Sequence, residues 1–334
     1  MDVAEIFSAL KKNIYTPVYF FYGEEPFYID ELTAYIEQNV LDEAAREFNL
    51  TVMYGLDVSA RDVVDVSRRF PMVGDYQVVI VKEAQHIDNF DALLEYIDHP
   101  MDSTILVINY KYKKLDKRKS LYKRLGKSKK VTLFESARVY DNKIPNWIAD
   151  RVRLLGHTIT PKSEIMLAEF LGTDLSRIAN ELNKLTINLQ PGEEITEDLI
   201  ERNIGISKDF NVFELQKALG RRNLFQALRI VQYFEANPKQ NPLQMVNVLL
   251  YGYFMKVLIY HQVKNESRNT IASKLGISPF FVSDYQTAAQ NYSPGKIKEA
   301  IAGLRQLDLK GKGLGAAEGS SYGPLKEWLF RTVS

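Results

Sequence analysis

PVYFFYGEEPFYIDE, residues 17–31, holds a strand, a turn and a helix start in one stretch. Val18, Tyr19, Phe20, Phe21 and Tyr22 form an unbroken apolar and aromatic run of β-prone residues. Gly23 breaks the run, and Pro26 suits the first turn of a helix. Phe27, Ile29, Leu32 and Ile36 then recur at helical spacing. In nucleotide-binding α/β proteins, the phosphates sit at such a turn. A phosphate loop of the form G-x-x-x-x-G-K-[ST] supplies backbone N–H groups, a lysine for the phosphate charge and a hydroxyl for Mg²⁺. Here Gly23 is followed by Glu24, Glu25 and Pro26. Two carboxylates repel a triphosphate, and proline removes a donor. The architecture of a nucleotide site is suggested and its chemistry is missing, so no cofactor is expected.

Outward from this stretch, the pattern alternates. A short leading helix is predicted at 1–12, a strand at 49–54 and a helix at 59–70 behind the N-cap candidate Ser59. The segment Pro71, Met72, Val73, Gly74, Asp75 interrupts the pattern. QVVIV at 77–81 reads as a strand buried on both faces. A helix at 89–97 and strands at 104–109 and 131–134 follow. Strands alternating with helices predict an α/β domain with a parallel sheet, at about 1–140. From Ile144 onward no strand is expected. Thr160-Pro161 and Asp174 mark helix starts in a small helical domain at 141–209, and an all-α domain occupies 210–334. There, Asn241-Pro242, Ser278-Pro279 and Ser293-Pro294 each set a capping side chain before a proline. The Gly-, Ser- and Lys-rich stretch at 310–323 reads as a mobile loop.

A length of 334 residues suits two or three domains. With 43 basic and 42 acidic side chains, no global field selects a polyanionic partner. The absence of cysteine excludes disulfides, thiolate metal sites and a cysteine nucleophile, and fits a reducing cytoplasm. The start, MDVAEIF, lacks the basic and apolar regions of a signal peptide. The most apolar stretch, at 243–263, carries Gln244, Asn247, Lys256 and His261, which argues for a buried helix and against a membrane span.

Four pieces of sequence together resemble a known family. VYFFYGEEPFYIDE has a strand, a glycine and an acidic-Pro-aromatic turn in place of a working phosphate loop. RRFPMVGDYQVVIVKEA leads through an apolar-Pro-apolar-apolar-Gly segment into a core strand. KLDKRKSLYKRL is a basic helix after a later strand, and GTDLSRIANELNKL matches a lid signature of the form G-x-D-L…N-E-L-x-K-L. These pieces, in this order across the first two domains, resemble the AAA+ clamp-loader subunits of bacterial replicases, the delta-subunit family of DNA polymerase III in particular. The third domain resembles that family mainly in helical character. The resemblance implies an AAA+ (RecA-like) α/β domain, a helical lid and a helical C-terminal collar. It also implies a component of a DNA-directed DNA polymerase holoenzyme, with no catalytic site of its own, that binds and helps open the sliding clamp while neighbouring subunits hydrolyse ATP. Its partners would be the clamp, the other loader subunits through the collar, and primed DNA in the assembled complex, with no membrane role.

By position, the family's clamp-binding wedge falls on Met72 and Val73, with Phe70 and Pro71 beside them. The residues themselves leave two readings open. Apolar side chains at a helix-to-turn break suit a partner's pocket, since they bury area only on binding; FPMV could equally plug its own core. The family's bulkier Leu-Phe type of wedge is Met-Val here.

The dense basic run at 111–130, offset only by Asp116, makes Lys117, Arg118, Lys119, Lys123 and Arg124 candidate contacts for DNA or a neighbouring subunit. Leu115, Leu121, Tyr122 and Leu125 give the same segment an apolar side, so a solvated helix face is the alternative. Two other functions compete. An active AAA+ ATPase would need an unusual phosphate loop, and Lys82-Glu83 after QVVIV is no acidic pair. A helix-turn-helix regulator would use IASKLGISPFFVSDY at 271–285, where Ala272, Gly276 and Val282 fit the motif. Its second helix, however, opens with Pro279, Phe280, Phe281 and Asp284, which are poor at reading bases, so a packing pair is preferred. The four histidines, His86, His99, His157 and His261, are scattered, and no metal site is expected.

Overall fold

Strand β1 (Val18–Gly23) is buried along its whole length because it lies between two other strands and under helices on both faces. The computed structural model describes residues 2–187, 189–207, 209–311 and 322–333. It divides into two units, Met1–Val139 and Tyr140–Ser334.

In the first unit the order is α1 (Val3–Lys11), β1, α2 (Pro26–Asn39), α3 (Glu43–Asn49), β2 (Leu50–Tyr54), α4 (Ala60–Ser67), β3 (Gln77–Lys82), α5 (Asp91–Asp98), β4 (Thr104–Lys111), α6 (Ser120–Lys127) and β5 (Val131–Ser136). The strands form one sheet in the order β2-β3-β4-β1-β5, parallel at every pairing. Alternate residues of β1 therefore feed two cores. Val18, Phe20 and Tyr22 pack with Val79, Leu106 and Ile108 and with Val63 of α4, Leu93 of α5 and Leu125 of α6. Tyr19 and Phe21 pack on the other face with Ile29, Leu32 and Ile36 of α2 and Ile6 and Leu10 of α1. Double-sided burial is why VYFFY and QVVIV are continuous apolar runs instead of alternating ones. Helix α3 carries no apolar period long enough to announce it, and it emerges only in the structure.

The second unit contains α7 (Ile144–Leu154), β6 (Thr158–Ile159), α8 (Pro161–Leu171), α9 (Leu175–Thr186), β7 (Glu194–Ile195), α10 (Glu197–Ile204), α11 (Val212–Gly220), α12 (Leu224–Ala236), α13 (Leu243–Val263), α14 (Arg268–Leu275), α15 (Val282–Asn291), α16 (Pro294–Gly311) and α17 (Gly323–Val333). The expectation of no strand beyond Ile144 is corrected: β6 and β7 pair in parallel, Thr158 with Glu194 and Ile159 with Ile195. Two-residue strands are shorter than any periodicity window and leave no trace in the pattern. The Thr160 and Asp174 caps form as read, accepting from the N–H of Ser163 and Arg177. Of the three polar-Pro starts, Ser278 and Ser293 accept from the N–H of Phe280 and Lys296. Asn241 does not cap α13, whose N-cap is Pro242. Its side chain turns back to the carbonyl of Asn237. The predicted loop at 310–323 lies largely outside the described residues; Gly311 ends α16 and Gly323 begins α17.

Helix α13 has the length and mean hydropathy of a membrane span. Val246, Leu250, Phe254 and Val257 on it are fully buried, and it packs against α11, α14, α15 and α16. It is the core helix of this unit.

Candidate clamp-binding turn

Helix α4 begins with a capping box: Ser59 accepts from the N–H of Asp62, whose carboxylate accepts from the Ser59 N–H. Both hydrogen bonds from Ser59 hold the Asp62 carboxyl below the usual carboxylate range. Val63 and Val64 turn inward, and the helix ends at Ser67. Phe70, Pro71, Met72 and Val73 follow before β3 starts at Gln77. Phe70 is 75% exposed, Met72 76% and Val73 44%, and Pro71 is half-buried. The reading in which FPMV plugs its own core is therefore wrong. Gly74 turns the chain with φ +72, a left-handed conformation that favours glycine.

Two buried amides, neither singled out from the sequence, hold this turn. On the entry side, Gln77 Nε2 reaches the carbonyls of Val66, Ser67 and Arg69 at the end of α4, and Thr104 Oγ1 at 2.8 Å. Thr104 Oγ1 itself donates to the Ser67 carbonyl at 2.8 Å. On the exit side, Asn49, the last residue of α3, accepts at Oδ1 from the N–H of Met72 at 2.8 Å and of Val73 at 3.4 Å. Its Nδ2 donates to the carbonyl of Val73 and to that of Tyr76 at 2.9 Å. The only trace of either in the sequence is a polar side chain at the head of an apolar strand run. The result is a pinned turn with apolar side chains in solvent, a geometry suited to inserting into a partner's pocket.

The turn after β1 is built the opposite way. Gly23 has φ +143, and a Cβ there would stand 1.9 Å from the Ser136 carbonyl oxygen. The N–H of Glu25 donates to that same carbonyl at 3.2 Å. Glu25 is 9% exposed and caps α2, accepting from the N–H of Phe27 at 3.0 Å. A carboxylate of this chain thus occupies the helix N-terminus where a nucleotide phosphate would sit in a phosphate loop. Glu24 is paired with Lys114 at 2.8 Å. At the end of β3, Glu83 takes a left-handed φ of +56, and its carbonyl crowds Gly55, where a Cβ would lie 2.3 Å away.

About half of the cations in the basic run pair with this unit's own acids. Lys111 pairs with Asp30, Lys117 with Glu135 at 3.1 Å, Arg118 with Asp116 at 3.1 Å, Arg124 with Asp98 at 3.6 Å and Lys130 with Asp102 at 2.7 Å. Of the five candidate contacts, Lys119 and Lys123 are exposed with no ion pair among the described residues, as are Lys113, Lys127 and Lys129 in the same run. Leu125 is buried and Leu121 and Tyr122 pack partly against the core, so the helix is amphipathic as read. The helix-turn-helix segment does form a helix pair across a left-handed Gly276. Its second helix is built into the core, however: Tyr285 packs on Tyr253 of α13, ring centres 5.4 Å apart. Among the described residues no group of His, Asp or Glu is arranged to hold a metal.

The family model for the DNA polymerase III delta subunit matches residues 19–136, and the model for the C-terminal domain of that subunit matches residues 209–317. A curated relative, DNA polymerase III subunit delta of Bacillus subtilis (strain 168), is 27% identical over 323 residues, covering 93% of this chain and 92% of its own length. The solved structure of the Bacillus subtilis DNA clamp loader delta protein is 26% identical and covers 99% of both chains, with a TM-score of 0.57. Two family models that meet this chain in order and together span more than half of it, with a relative and a structure aligned nearly end to end, agree with the parallel sheet and the helical second unit: the chain belongs to the delta-subunit family of DNA polymerase III, a clamp-loader family of DNA replication.

Proposed function

We propose that this chain is the clamp-gripping subunit of a cytoplasmic, bacterial-type replicative clamp loader. It binds the sliding clamp through Phe70, Pro71, Met72 and Val73 and has no nucleotide of its own. The observation that carries this reading is the exposure of Phe70, Met72 and Val73 on a turn whose backbone is hydrogen-bonded in place. Such a surface contributes only when a partner covers it, at roughly 1.5–3 kcal/mol for each large apolar side chain fully buried.

The work is mechanical. Binding at one face of a ring favours whichever ring conformation fits that face best, so the wedge biases the clamp toward an open or distorted interface. ATP in neighbouring subunits governs whether the wedge is reachable. In this reading the chain has three parts: residues 1–140 grip the clamp, 141–209 form the lid and 210–334 join the collar. Exposed apolar residues on the helical part, Val248 and Tyr251 three apart on α13, Phe225 on α12 and Phe330 on α17, support contacts with other loader subunits. Of the five candidates, Lys119 and Lys123 are the best placed to meet the phosphates of primed DNA or an acidic neighbour in the assembled complex, because the other three already have acidic partners.

The test is a binding titration of the full chain with the sliding clamp, native against Met72→Ser plus Val73→Ser. The double variant is expected to lose binding. Binding unchanged in the double variant would reject the wedge.

A further inference from the structure

The carboxamide of Asn49 offers two N–H donors and an oxygen with two lone pairs. All of this capacity goes to one short stretch: Oδ1 to the N–H groups of Met72 and Val73, Nδ2 to the carbonyls of Val73 and Tyr76. No other side chain can do this from the same position. Aspartate has acceptors and no donors, alanine has neither, and glutamine is one methylene too long. Asn49 is itself 4% exposed. Burying an amide is unfavourable unless its bonds are made, and here they are made to a segment that adds little to its own core. The groups so fixed are the side chains of Met72 and Val73, which face solvent. The anchor is also rigid. Asn49 is followed directly by β2, and Leu50, Thr51 and Val52 pair in register with Val78, Val79 and Ile80 of β3, the strand that the turn enters. Gly74, next in the chain after Val73, sits in open space, with nothing within 4 Å of a Cβ built on it, so packing around it does not hold the turn.

We infer that Asn49 is a positioning residue for clamp binding, fixing the Met72–Val73 turn beforehand in the shape that the clamp's pocket accepts. This rests on the clamp-gripping role proposed for the turn. A turn whose backbone is ordered before contact loses only side-chain freedom on binding, and the apparent affinity is not reduced by the fraction of time its backbone spends in other shapes.

The test uses the full chain and the sliding clamp, with Asn49→Ala, Asn49→Asp, and Met72→Ser plus Val73→Ser measured side by side by calorimetry and by association kinetics. Amide hydrogen exchange is followed in the free chain. Asn49→Ala is expected to weaken clamp binding about tenfold, equivalent to roughly 1.4 kcal/mol, with unchanged stoichiometry and with the loss mainly in the association rate. Asn49→Asp is expected to weaken it at least as much, because two donated bonds become oxygen–oxygen contacts. In both, the amides of Met72 and Val73 should exchange faster while those of β3 stay protected. That last readout separates a loosened turn from a destabilised sheet. If stoichiometry drops and the remaining molecules bind as tightly as native, Asn49 is merely structural and the inference fails. Faster exchange at the turn with affinity within about twofold of native also overturns it. Should Asn49→Ala not fold, Asn49→Asp carries the same comparison. If the Met72 and Val73 double variant binds like native, the clamp-gripping role of the turn is at fault, independently of Asn49.

Discussion

Two turns of the same sheet are made from opposite principles. The turn after β1 lies at the carboxyl edge and is shut: Gly23 presses against the Ser136 carbonyl and Glu25 caps α2 from within. The turn before β3 lies at the amino edge and is open: its backbone is fixed by Asn49 and Gln77 while Phe70 and Met72 stand in water. In the first, a carboxylate of the chain takes the cap position and a carbonyl closes on the glycine. In the second, polar groups are spent on backbone so that apolar side chains are left over. The difference separates a turn closed by the chain's own groups from one whose apolar side chains stay exposed.

The largest effect that could break this contrast is at the open turn. Met72→Ser plus Val73→Ser should weaken clamp binding by a hundredfold or more, consistent with roughly 1.5–3 kcal/mol per buried side chain. The same pair should move the thermal midpoint hardly at all, since exposed positions contribute within about 0.5 kcal/mol. A large drop in melting temperature would mean that the wedge packs on its own unit.

At the shut turn the signs reverse. Gly23→Ala places a Cβ against backbone at a positive φ, and should cost about 2–4 kcal/mol of stability, read from denaturant unfolding. Retained stability would mean that the turn can open. Next in size, Glu25→Ala should cost about 0.5–2 kcal/mol through the lost cap without creating ATP affinity, because the lysine and hydroxyl of a phosphate loop are still missing. Micromolar nucleotide binding by either the native chain or this variant would restore the ATPase reading.

The smallest effect concerns the helix leading to the open turn. The Asp62 carboxyl is lowered by hydrogen bonds from Ser59, so the folded state holds its proton less tightly than the unfolded one. Its contribution is fully present above the ordinary aspartate range and is lost as the pH falls below that range through the lower value of the folded state. Asp62→Asn should slightly flatten the acid limb of a melting-temperature profile taken from neutral pH downward.

Much of this was legible in the residues. Continuous apolar runs gave β1 and β3 because strands covered on both faces need no alternation, and Pro26 marked the start of α2 because a proline at the first helical position forfeits no bond. The break between helix and strand located the turn, but FPMV looks the same whether it points in or out, and its reading as a wedge came from the family resemblance. What the residues could not show were partners distant in sequence. Asn49 acts on carbonyls and N–H groups more than twenty positions away, and backbone groups carry no side-chain signature. Asn241 was misassigned for a related reason: asparagine before proline resembles a cap until one sees that it bonds backward to Asn237. The basic run shows the same limit, since of the six acids paired with it, five, scattered from Glu24 to Glu135, lie outside the run and can be matched to it only once the chain is folded.

Glu25 has one further consequence. A helix that already holds its own negative charge at its positive end gains nothing from a triphosphate and loses nothing when one is cleaved. Taken by itself, this part would hold its shape at any ATP-to-ADP ratio, a fixed jaw, so that any response to fuel has to come from the neighbours that cover or uncover it.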